Sequence, residues 1–319
     1  MGRMTSAVRA ALLICGALAT TAIPAFASED AMADVQDTRV QLGFGNLLVN
    51  DVIGDGYDRW RSGSYTTSRI WGRGWSGEAP SEFGDIIEFR FGGEVMSAES
   101  LVAPAAGDRA WAGSLFWGLH THFKRGKSDF VVGADLVAVG PMTHLDDFQS
   151  ALHDIIGIDG PSDAVRANQI GDQWIPRFVG EVGRDLDLGG RGKLRPFVEV
   201  RAGDETLARA GFDVTFGKFG EGELLVRDWV TGHRYRAVRN HQKGVSFVAG
   251  ADVAKVFDSV YLPESRGYTL TDTRSRVRAG LHVRGKAYHV FYGVSWLSKE
   301  FEAQREDQVV GAVKLDFNF

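Results

Sequence analysis

The 319-residue sequence predicts an all-β chain that closes into an antiparallel transmembrane β-barrel of about 12 strands, with a short helix in one extracellular-side loop. Three observations lead there. The chain opens with a secretory leader, many segments alternate apolar and polar residues with aromatics near their ends, and the last of them finishes on Phe319.

The leader is an address and not structure. Arg3 and Arg9 flank a short positive region, residues 10–22 form an apolar run, and Ala25, Phe26 and Ala27 give the small-x-small pattern of signal-peptide cleavage before Ser28. The expected organisation is a signal peptide over 1–27, a short N-terminal segment over 28–37 and a barrel over 38–319. The apolar run is too short for a spanning helix, which needs about 20 residues, and no later run approaches about 18. Cys15 does not make a lipoprotein signal, because Ile14 is bulky where a small residue is required and the apolar run continues past it. Without the leader the chain has no cysteine, hence no disulfide.

Composition constrains less. With 44% hydrophobic and 24% charged residues the chain resembles a soluble protein, so membrane character has to come from pattern. Forty glycines against eight prolines suit curved strands and not a low-complexity chain. A net charge of −5 gives no reason to expect a nucleic-acid partner.

Twelve alternating segments are expected near 38–49, 64–75, 83–94, 109–123, 128–139, 174–186, 194–204, 206–218, 244–257, 276–285, 287–297 and 308–319. An even number suits a single-chain bacterial barrel. In the last, Val309, Val313, Leu315, Phe317 and Phe319 share one face, opposite Lys314, Asp316 and Asn318. In the eleventh, Tyr288, Val290, Tyr292, Val294 and Trp296 oppose His289, Gly293 and Ser295. In the tenth, Val277, Ala279, Leu281 and Val283 oppose Arg276, Arg278, His282 and Arg284. A barrel turns the first set to lipid and the second to its lumen; a periplasmic sandwich would also alternate, and the leader and aromatic ends decide between them.

Two stretches interrupt the alternation. Residues 219–243 fall on the side where turns should be short, so either a strand is missed there or the loop folds into the lumen. Residues 140–172 fall on the extracellular side, and 143–157 (THLDDFQSALHDIIG) predict a helix with Thr143 as N-cap and Gly157 beyond its C-terminus. Leu145, Phe148, Leu152 and Ile156 form an apolar stripe, with Gln149 and His153 as i,i+4 neighbours beside it.

Standard catalytic strings such as G-x-S-x-G, H-E-x-x-H or a Walker A loop are missing from the sequence. Three polar clusters stand out instead. Residues 50–65 (NDVIGDGYDRWRSGSY) carry Asn50, Asp51, Asp55 and Asp58, oxygen donors of the type calcium prefers, although Asx and glycine also make ordinary turns. Residues 107–113 (GDRAWAG) hold Arg109, which pins Asp108 or lines the lumen. The third is the helix with His153, followed by Asp159; histidine is the usual general base near neutral pH. His120 and His122 are rival histidines on one strand face.

Together these clusters resemble the outer-membrane lipid A 3′-O-deacylases (LpxR-type). The likeness runs from VNDVIGDGYDRWRSGS through GDRAWAGSLFWGL and VGPMTHLDDFQSALHDIIG to WLSKEF at 296–301 and the terminal strand. The resemblance implies a barrel in the bacterial outer membrane that hydrolyses a fatty-acyl ester of lipopolysaccharide with calcium. It implies His153 as catalytic histidine, supported by Asn50, Ser62 and Gln149, and a metal held by Asp51 and, where a relative has Glu, Asp159. Two departures appear: Asp159 is one methylene shorter than Glu, and residues 94–107 contain no Lys or Arg where a lipid A phosphate would be met. The expected mechanism is attack by water activated by His153, with a Ser62 acyl-enzyme as rival. The alternatives are an outer-membrane esterase or phospholipase on another acylated lipid, and a non-catalytic porin-like barrel. The expected state is a monomer whose partners are lipopolysaccharide and the membrane.

Overall fold

The computed structural model describes residues 38–317 except 191 and 241. The expected signal peptide, the 28–37 segment and Phe319 lie outside the described residues. The strands are β1 (Val40–Asn50), β2 (Trp60–Gly72), β3 (Ile87–Ser97), β4 (Ala112–Arg125), β5 (Ser128–Val139), β6 (Gln173–Gly183), β7 (Leu186–Asp187), β8 (Lys193–Ala202) and β9 (Glu205–Phe216). They continue with β10 (Leu224–Arg227), β11 (Arg234–Val238), β12 (Gly244–Ser259), β13 (Arg274–Arg284), β14 (Tyr288–Leu297) and β15 (Gln308–Phe317). Two helices, α1 (Leu145–Ile156) and α2 (Asp163–Ala167), lie between β5 and β6.

All but β10 and β11 form one antiparallel sheet, ordered β6-β5-β4-β3-β2-β1-β15-β14-β13-β12-β9-β8, with the two-residue β7 beside β8. Pairing of β6 with β8 completes a closed twelve-stranded wall. The first and last wall strands meet through Leu48–Asn50 against Gly311–Val313. The twelve expected segments match the wall strands to within a few residues. The clearest difference is β2, which begins at Trp60 because a bulge between Arg61 and Gly63 lets the ladder run on to the rim.

Alternation sorts the side chains as lipid and lumen require. Phe89, Phe91, Leu119, Val200, Phe212, Val277 and Leu281 are exposed on the outer face. The inner face carries buried charges that bond across the barrel. Arg61 reaches Glu94 at 2.7 Å, Glu205 at 3.3 Å and Glu300 at 2.7 Å, and Arg274 reaches Glu205 at 2.6 Å. Such pairs add little over apolar packing, but removing one partner of a buried pair typically costs about 3–5 kcal/mol.

The long segment after β9 folds into the lumen, where β10 and β11 form a hairpin. Val226, Tyr235 and Ala237 pack against Leu47, Val49 and Phe291 of the wall. Its turn is held by Arg276, whose guanidinium donates to the Trp229 and Val230 carbonyls at 2.8 and 3.1 Å. Arg227 on the hairpin reaches Glu181 of β6 at 2.8 Å and Asp213 of β9 at 2.9 Å, the two strands that flank β8. Close approach demands glycine: a Cβ at Gly43 would lie 2.1 Å from the Ala237 carbonyl oxygen, and one at Gly45 2.4 Å from that of Arg236. Part of the glycine content therefore serves the plug as well as strand curvature. A polar cavity of about 640 Å³ remains beside the hairpin, lined by Glu78, Lys124, Arg177, Glu181 and Arg227.

Candidate active site on the outer rim

The candidate residues gather at the extracellular end of the wall, on its outer face. Gly113 points outward with Leu115 and Leu119, and a Cβ there would meet Thr143 Oγ1 at 2.8 Å and Leu145 Cβ at 2.9 Å. Helix α1 thus lies against the outside of β4, and only glycine lets it sit so close. Its start departs from expectation. His144, in left-handed conformation with φ 53, is the N-cap, while Thr143 Oγ1 donates to the Gly140 carbonyl at 2.8 Å. Gly157, with φ 72, closes the helix as expected.

The helix is inside out. Asp146, Gln149 and His153 are buried against the wall, whereas Phe148 is 58% and Ile155 73% exposed. Of the apolar stripe, Leu145 packs inward beside Trp111 and Val95. Polar groups hold the buried face. Gln149 Oε1 accepts from the Trp111 indole at 2.8 Å, and Asp146 accepts from Arg166 of α2 at 3.0 Å and Gln169 at 3.3 Å. Helix α2 is capped by Ser162, whose hydroxyl accepts from the Val165 amide.

His153 faces the β1–β2 loop. Its Nδ1 donates to the Asp159 carbonyl at 2.8 Å, and its Nε2 lies 2.9 Å from Asp58 Oδ2. Burial alone would push this imidazole down; the Asp58 carboxylate and Asp159 carbonyl outweigh it and hold it above its ordinary pKa. Asp159 reaches the site through its main chain, and its carboxylate stays exposed. Ser62 sits in the β2 bulge, its Oγ 2.8 Å from Ser97 Oγ. Asn50 braces the loop, accepting from the Val52 amide at 2.9 Å and donating to the Ser62 carbonyl at 3.0 Å.

Asp51 is fully buried. Its Oδ2 accepts from the Arg59 amide at 2.6 Å and from Gln308 at 3.4 Å, while Oδ1 has no hydrogen-bond partner. Burial, with Asp58 and Asp55 nearby, pushes this carboxyl well above the usual carboxylate range, against the pull of the Arg59 amide. No three Asp, Glu, His or Cys side chains converge as a ready ligand cage among the described residues. An orphaned, water-excluded carboxylate oxygen still fits an oxygen-seeking cation whose shell is completed by one more carboxylate, carbonyls and water.

Sequence reasoning named His153, Asn50, Asp51, Ser62 and Gln149, and all five lie on the elements that meet here. It missed Trp111 and Ser97, which are apolar or small residues without a chemical signature. Backbone strain marks the same place: among the described residues the non-glycine positions with positive φ are Trp60 and His144, one in each element. The rival histidines are structural, with His120 2.8 Å from Asp135 and His122 2.7 Å from Glu88, all buried. Of the two roles expected for Arg109 the lumen one holds: its guanidinium pairs with Glu300 at 2.7 Å, and Asp108 Oδ1 accepts only from the Arg109 backbone amide, at 2.8 Å.

Comparison with known proteins places this architecture. A family model described as outer membrane protein LpxR matches residues 87–319. Among solved structures, LpxR from Salmonella typhimurium is similar with a TM-score of 0.70 at 17% identity, over 87% of this chain and 100% of that one. The β-domain of the Bordetella autotransporter BrkA gives a TM-score of 0.44 at 11% identity, over 87% and 99% of the two chains. No curated protein sequence matches.

Proposed function

The chain belongs to the LpxR family of bacterial outer-membrane proteins, and from that premise we propose that it is a lipid A deacylase hydrolysing a 3′-linked fatty-acyl ester of lipopolysaccharide. The observation that carries this reading is where His153 sits: on the outer face of the wall, on a helix that exposes Phe148 and Ile155, near an orphaned buried carboxylate. A lipid ester arrives from the membrane side, and that is the side on which the base is mounted.

In the proposed reaction Nδ1–H stays on the Asp159 carbonyl, which fixes the tautomer and leaves Nε2 as the proton acceptor. Nε2 takes a proton from water as the water oxygen attacks the acyl carbonyl carbon. The tetrahedral intermediate then expels the sugar oxygen, which takes the proton back from His153, giving a free fatty acid and a free hydroxyl. Asp51, with Asp159 as the second candidate, would hold calcium, which supplies a positive charge to polarise the carbonyl. Gln149 locks the helix turn below His153 through Trp111, and Asn50 holds the Asp51 loop. Ser62 Oγ shares its hydrogen bond with Ser97 and not with His153, which favours water over an acyl-enzyme.

The test is mass spectrometry of lipid A from a Gram-negative host with and without the protein and its His153→Ala variant. A species lighter by one acyl chain, absent with His153→Ala and blocked by a calcium chelator, is expected. Unchanged lipid A with altered phospholipid would sink this reading in favour of an esterase on another acylated lipid, which the missing cation at 94–107 would suit.

A further inference from the structure

Three aspartates lie near the orphaned Asp51 oxygen in sequence or space, and their partners separate them. Asp55 is engaged on both oxygens, accepting from the Tyr57 amide at 3.3 Å, the Val309 amide at 3.1 Å and Arg59 at 3.4 Å. Asp159 turns its carboxylate to solvent. Asp58 has one partner, His153, and its backbone joins that of Arg59, whose amide binds Asp51. The contact covers the base: with Nδ1–H on a carbonyl, Nε2 is the nitrogen left for proton transfer, and the Asp58 carboxylate oxygen sits 2.9 Å from it. Asp58 Oδ2 also occupies the position from which water would be deprotonated.

We propose that Asp58 is a two-position group: without a cation it caps His153 Nε2, and with calcium at Asp51 it turns to the metal as the second carboxylate and uncovers the base. This rests on the calcium-dependent reading above and adds a regulatory link to it. The metal then does more than complete the site; its arrival opens the base.

Because cap and metal compete for one carboxylate, removing the histidine should strengthen calcium binding. Calcium alone is titrated calorimetrically into the full barrel in detergent micelles after chelator treatment, with folding of each variant checked by circular dichroism. Asp51→Asn should abolish binding, Asp58→Asn should weaken it about tenfold, and His153→Ala and His153→Asn should each tighten it about tenfold, the scale of one lost charged hydrogen bond. If Asp51→Asn binds as the unmodified protein does, the metal reading itself is wrong. If Asp51→Asn loses binding while the Asp58 and His153 variants match the unmodified protein, the two-position role of Asp58 is overturned and the calcium site stands.

Discussion

Gln149 shows how a single residue supports the site without chemistry of its own. Its Oε1 satisfies the buried Trp111 indole, and it stands one turn before His153 on the same helix face. Gln149→Ala leaves that donor unpaired at a cost of about 1–3 kcal/mol, so melting of the variant in detergent should come earlier and deacylation should slow. Gln149→Glu restores an acceptor and should recover stability. Ser62 separates the two nucleophiles. With water as nucleophile, Ser62→Ala keeps activity within about tenfold and no acylated protein accumulates in single turnover; an acyl group trapped on Ser62 would reverse that assignment. His153, Asn50 and Asp51 entered as candidates through the family resemblance, since their polar clusters alone also read as ordinary turns and a helix. Their partners were not legible, because Asp58 and His153 lie 95 positions apart and meet only when the loops fold together.

Helix α1 was legible in position but not in orientation. Its apolar stripe looked like a face for packing, yet on the outside of a barrel the apolar environment is lipid, so the buried side carries Asp146, Gln149 and His153. Phe148 and Ile155 are left exposed, and the proposed function gives them acyl chains to meet. Replacing both by Asp should cut turnover of membrane-embedded lipid A severely while leaving hydrolysis of a short soluble ester nearly unchanged; equal losses on both substrates would show that the stripe serves folding instead. The helix is tied to α2 through Asp147, which His144 at 3.1 Å and Arg166 hold below the usual carboxylate range. The charged form is favoured in the folded protein, so this tie persists above the ordinary Asp pKa and weakens as pH falls through the lowered one. Amide protection at the α1–α2 tie, corrected for intrinsic exchange, should survive at the ordinary Asp pKa and be lost only in stronger acid.

At the scale of the whole molecule the lumen decides between a pore and an enzyme scaffold. Arg276, Arg278 and Arg284 could have lined a channel, but the first two pair with Asp252 and Asp213, and Arg284 reaches Glu223 before the β10–β11 hairpin. The hairpin fills the barrel from the β9–β12 side and bonds strands on both walls. Deleting residues 219–240 with a short Gly-Ser bridge should convert a silent barrel into a conducting one in planar bilayers, provided circular dichroism still shows a folded sheet. A folded deletion variant as silent as the parent would mean that the wall side chains alone close the lumen.

The sequence alone determined the barrel, its strand number, its two faces and the family, because a period of two and short motifs are local properties written residue by residue. It stated that residues 219–243 were either a missed strand or an inward loop without choosing. Only the closed structure chose, and only it set the polar face of α1 against the wall and Asp58 against His153. Those outcomes depend on which distant surfaces closure brings together and on which side lipid lies, and no window of sequence contains either.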